Sequence, residues 1–88
     1  MNVEKIREDF QVLKKEIIYL DSACMSLKPI QVVDKINEYY NEYPSCAGRS
    51  VHKMGLKLDK ELDDSRKSIQ KFVGAKKSSE IIFSKNAS

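Results

Sequence analysis

With 88 residues, 41% apolar and 33% charged, the chain sits near the lower end of domain sizes, where roughly 60–65% of the unfolded surface is buried on folding. That balance is far from the low hydrophobicity of disorder. Sixteen basic residues against thirteen acidic give a formal charge of +3, spread without a basic stripe or interleaved aromatics, which argues against a nucleic-acid partner.

In chain order, Val3, Ile6, Phe10 and Leu13 fall three or four apart and predict a first helix over about 3–13. The run Ile17-Ile18-Tyr19-Leu20 is β-branched and aromatic and predicts a strand over 17–20. It is far shorter than the roughly 20 apolar residues of a membrane span. A mixed-sign N-terminus lacks the layout of a secretory signal, so a cytoplasmic location is expected.

Residues 21–28 have no period and are rich in small side chains. Pro29 suits the first turn of a helix, where its missing N–H is no loss. Val32, Val33, Ile36, Tyr40 and Tyr43 then carry helical spacing, giving a helix over about 29–42 that Pro44 stops. After a loop at 44–50, Val51, Met54, Leu58, Leu62, Ile69, Phe72 and Val73 predict the longest helix, over 51–73, with Gly74 as its left-handed cap. Glu80-Ile81-Ile82-Phe83-Ser84 reads as a second strand, over 80–84. A lone strand near the C-terminus has no sheet to join unless further polypeptide supplies one. The expectation is a mainly helical unit, 1–88, with one or two short strands, forming part of something larger. Cys24 and Cys46, far apart and with a single histidine, cannot complete a zinc set and read as free buried thiols in a reducing compartment.

Three stretches together resemble the N-terminal region of the class V aminotransferase and cysteine desulfurase family. Ile18-Tyr19-Leu20-Asp21-Ser22-Ala23, followed by Ser26-Leu27-Lys28-Pro29, is similar to a strand ending in Tyr-Leu-Asp-Asn-Ala-Ala-Thr before a Pro-started helix. Gly48-Arg49-Ser50-Val51-His52, after Tyr39-Tyr40, is similar to a His-Arg-Gly-Val-His loop. Glu80-Ile81-Ile82-Phe83-Ser84-Lys85-Asn86-Ala87-Ser88 is similar to Glu-Ile-Ile-Phe-Thr-Arg-Asn-Ala-Thr.

The resemblance implies the N-terminal part of an α/β fold-type I enzyme dependent on pyridoxal 5′-phosphate, a homodimer in the family. Its cofactor ring serves as an electron sink for bonds at the substrate α-carbon. In the desulfurases sulfur leaves L-cysteine, giving L-alanine. By the same resemblance the Schiff-base lysine and the sulfur-accepting cysteine lie beyond residue 88, so no lysine or cysteine here takes a catalytic role. The segment alone is expected to be inactive and not to hold the cofactor stably.

Carried over residue by residue, Ser88 falls on the hydroxyl residue that opens a phosphate-holding helix, where N–H groups and the dipole favour an anion. Arg49 falls on an arginine that reaches the neighbouring subunit's active site, a place suited to a guanidinium that pairs with a carboxylate or phosphate. Ala23 keeps a position beside the substrate pocket, contributing small size. Departures accompany these matches: Gly48 stands for histidine, Ser22 for asparagine, Cys24 for alanine and Met25 for threonine. Desulfurase, selenocysteine lyase and other class V lyases or aminotransferases all remain open. Without the resemblance, Arg49 reads as a solvated loop residue and His52 as a structural first-turn histidine. The chain as a whole would then be a small helical module whose apolar faces dock a partner.

Overall fold

The computed structural model describes residues 1–86. The sequence suggests one unit; the chain divides into two compact ones, Met1–Glu42 and Tyr43–Ser88.

In the first unit, α1 spans only Val3–Arg7, capped by Asn2, whose side-chain oxygen accepts from the Lys5 N–H at 3.1 Å. The helix expected to reach residue 13 therefore ends early, and Gln11–Lys15 form a separate 3-10 turn. The cause is a competing hydrogen bond. The Asp9 carbonyl accepts from the Ile30 N–H at 2.7 Å, and the Leu13 N–H, which an α-helix would send there, turns to Phe10 at 3.0 Å. That i→i−3 bond is the 3-10 pattern.

Residues 17–20 belong to no ladder. A strand needs a neighbour to satisfy its N–H and C=O groups, and no strand forms among the described residues. The second helix, α2, spans Ile30–Glu42. It begins directly after Pro29, whose carbonyl accepts from Val32 at 3.0 Å and Val33 at 3.3 Å, and it ends before Pro44, as the missing N–H requires.

In the second unit, α3 runs from Lys53 to Val73, so Val51 and His52 lie outside the helix expected to start at 51. His52 is its cap, with Nδ1 accepting from the Gly55 N–H at 3.3 Å. Gly74, at φ 74°, closes the other end in the left-handed region, where glycine carries no Cβ penalty. The chain then turns back, with the Gln70 side-chain amide donating to the Ala75 and Lys76 carbonyls at 3.3 and 3.1 Å.

A 3-10 turn at Ser78–Glu80 packs against α3. It takes Glu80 out of the expected strand; Ile81 is extended and donates its N–H to the Ser78 carbonyl at 3.0 Å, and residues 81–84 belong to no ladder. Arg66 on α3 stacks over the Phe83 ring at 5.1 Å, a cation–π contact that holds this segment to the helix. Tyr43, 3% exposed, is the buried hydrophobic side chain among the described residues, with the Lys57 ammonium 5.5 Å from its ring centre.

Candidate functional site

Ala23 occupies the middle of a turn at residues 22–24 and is exposed. The turn forms because the Asp21 carbonyl accepts from both the Cys24 and the Met25 N–H at 3.0 Å. The Tyr19 hydroxyl donates to the Met25 carbonyl and closes the loop from inside. Beside it lies a cleft of about 450 Å³ whose apolar wall includes Ile6, Phe10 and Leu27 and whose polar lining includes Arg7, Ser22 and Ser26. With a methyl as its whole side chain, Ala23 offers space rather than chemistry.

Arg49 lies in the second unit, in a turn at residues 47–49, and its side chain is exposed. The surrounding loop is shaped by several bonds. The Cys46 carbonyl accepts from the Arg49 N–H at 3.3 Å and from the Ser50 N–H at 3.1 Å. The Ser50 hydroxyl accepts from the Cys46 N–H at 3.0 Å. Gly48, at φ 70°, donates its N–H to the Asp59 carboxylate at 2.8 Å.

Gly55, in the first turn of α3, is buried, and a Cβ there would lie 2.1 Å from the Ser50 carbonyl oxygen. The loop therefore seats directly on the helix backbone. Asp59 and Gly55 do not stand out in the sequence as site-forming. The one available signal is a glycine inside a helical pattern, which points to close backbone approach.

Ser88 lies outside the described residues. Cys24 and Cys46 are free thiols but exposed rather than buried, because each sits in a surface loop; no group of His, Cys, Asp or Glu among the described residues is arranged to hold a metal. No described helix is long and apolar enough to cross a membrane.

Residues 18–88 match the model of the aminotransferase class-V family. The chain belongs to the aminotransferase class-V family. Among class-V relatives, a probable cysteine desulfurase of Streptomyces coelicolor is 35% identical over 100% of this chain and 22% of its own length. One from Halalkalibacterium halodurans is 37% identical over 97% of this chain and 22% of its own length. The apo structure of the cysteine desulfurase from Thermococcus onnurineus NA1 superposes with a TM-score of 0.82 at 38% identity, covering 98% of this chain and 21% of that one. The chain thus spans about a fifth of the length of the relatives it matches. Its fold is that of the N-terminal part of a fold-type I enzyme, helical where it is described.

The described residues do not by themselves fit a pyridoxal phosphate. Ala23 brings no side-chain polar atom, and Arg49 is an exposed cation in a turn. The class-V cofactor would need groups that these two positions do not supply.

Proposed function

We propose that this chain serves as the N-terminal segment of a cytoplasmic cysteine desulfurase-like enzyme that mobilises sulfur from L-cysteine and leaves L-alanine. On this reading the chain is catalytically silent alone and works with further polypeptide, within a homodimer. Pyridoxal phosphate supplies the electron sink when bound to the whole enzyme. Within the segment, Arg49 offers a guanidinium to an oxyanion of substrate or cofactor, Ala23 leaves room beside the substrate, and Ser88 adds a hydroxyl to the phosphate site. The observation that carries the reading is the structural match at 0.82 over 98% of the chain to a cysteine desulfurase 38% identical to it.

The test is a graft. The chain replaces the matching segment of the Thermococcus onnurineus enzyme, and cofactor absorbance and alanine formation from L-cysteine are followed. The graft should hold pyridoxal phosphate and form alanine, while the isolated chain should do neither. A folded graft that binds cofactor but transforms other amino acids and not cysteine would redirect the substrate assignment within class V. One that binds no cofactor would remove the reading.

A further inference from the structure

The turn that carries Arg49 is tied to the body of α3 by an acidic side chain. Asp59 accepts the Gly48 N–H at 2.8 Å across eleven residues. The other loop bonds, from Cys46 to Arg49 and Ser50, are local to the loop and shape the turn without fixing it to the helix. Where the backbone meets α3, at Ser50 against Gly55, shape alone sets the distance.

Gly48 adopts φ 70° with no atom within 4 Å of where a Cβ would stand. No packing on the Cβ side sets this conformation; the turn bonds to the Cys46 carbonyl shape it, and the bond to Asp59 joins it to α3. An ionised acceptor makes this a charge-assisted bond, stronger than a neutral one.

A carboxylate beside an arginine that is to receive an oxyanion is electrostatically unfavourable. Its charge competes for the guanidinium and repels the incoming anion. The geometry supplies the compensating benefit, because an arginine on a loop anchored to the 21-residue α3 loses less freedom on binding than one on a free turn. We propose that Asp59 is the positioning residue of the Arg49 loop, holding it through the Gly48 N–H so that Arg49 presents its guanidinium to an oxyanion, carboxylate or phosphate. This rests on the role given to Arg49 above and adds the residue through which that role is set.

Positioning and simple proximity of charge predict opposite signs. If Asp59 were only a nearby negative charge, Asp59→Ala and Asp59→Asn would both strengthen anion binding at Arg49. As the positioning residue, Asp59→Ala loses the acceptor and weakens it, whereas Asp59→Asn keeps an oxygen for Gly48 and retains it. Asp59 is half-buried on α3, and alanine raises helix propensity there, so helicity at 222 nm, which should be kept in both variants, separates loop release from loss of fold.

The measurement is amide exchange at Gly48 and the Arg49 Nε–H shift with this segment ¹⁵N-labelled in the graft described above, titrated with acetate and with inorganic phosphate to separate the two oxyanion types. Asp59→Ala should lose Gly48 protection and weaken the Arg49 response about fivefold, the worth of one hydrogen bond. Asp59→Asn should restore both, and Arg49→Ala should abolish the anion response alone. Unchanged Gly48 protection in Asp59→Ala, or tighter anion binding in both Asp59 variants, would overturn the proposal. An Arg49 signal unmoved by either anion in the unaltered graft would sink the role given to Arg49. Gly48 exchange would then decide Asp59 alone: protection lost in Asp59→Ala keeps it as the loop's anchor, and protection unchanged removes it.

Discussion

Gly55 carries two opposed demands. As a glycine in the first turn of a 21-residue helix it costs about 1 kcal/mol relative to alanine, yet the Ser50 carbonyl leaves 2.1 Å where a Cβ would go. The obstacle is backbone and cannot rotate away, and overpacking of this kind costs about 1–3 kcal/mol. The loop is the softer partner, since α3 continues for many turns beyond the contact. Gly55→Ala should therefore keep or slightly raise helicity at 222 nm while lifting the loop, so that Gly48 loses its amide protection. Helix loss with the loop still protected would contradict this account. A glycine inside the helical pattern at residue 55 signals a close approach but not which segment makes it; that is set by the fold-back that brings Ser50 onto the helix. By contrast Gly74 is legible at once, because it follows the last apolar position of a periodic run and its φ of 74° is what a helix stop of this kind requires.

At the scale of elements, periodicity locates α2 and α3 to within two residues, and proline and glycine account for their ends. It overextends α1, because Leu13 shares the spacing of Val3, Ile6 and Phe10 while its N–H is diverted by the bond from Ile30 to Asp9. Residues 17–20 and 80–84 carry strand composition without strand pairing, since a ladder is a property of two segments and composition reports only one. The long helix also carries ion pairs along its exposed side: Lys60 with Asp64 at 2.6 Å, Asp63 with Lys67 at 2.8 Å and Lys57 with Glu61 at 3.5 Å. The hydrogen bond from Lys60 holds the Asp64 carboxyl below its ordinary range, and the bonds to Asp64 and Asp63 raise Lys60 and Lys67.

The depressed Asp64 adds stability that is present above the unfolded carboxylate value of about 3.9 and lost as pH falls through its lower folded value. The raised lysines add stability present below about 10.4 and lost as pH rises through their higher folded values. Helicity should therefore be level between these limits and decline outside them, with small amplitude because every partner is exposed and screened. In a carboxyl ¹³C titration, Asp64 should protonate below the ordinary range and return to it in Lys60→Gln. Identical titration in both chains would show that the pair does not form in solution.

For the molecule as a whole, the decisive quantity is how little apolar surface the chain covers by itself. In the first unit Ile18 and Leu20 are 88% and 89% exposed, and in the second Phe72 is 92% exposed at the end of α3. Units of this size, Met1–Glu42 and Tyr43–Ser88, sit near the limit of about 40 residues below which a domain needs disulfides, metals or partners. Both cysteines are free, so covalent staples are not the answer. The family motifs at 18–29, 48–52 and 80–88 were legible because they are local strings. The incomplete core was legible only in part, through two strand-like segments with nothing to pair. Relatives about five times as long offer the missing surface, and on that reading the exposed stripes are the faces that further polypeptide covers. The isolated chain should accordingly bind a hydrophobic dye, unfold over a broad urea range and sediment as species that grow with concentration. Restoring the rest of the enzyme should sharpen the transition and remove the dye signal. A chain that stays a 10.1 kDa monomer at high concentration, unfolds sharply and leaves the dye dark would mean that these two units complete their own cores, and the segment would then be a self-standing helical module.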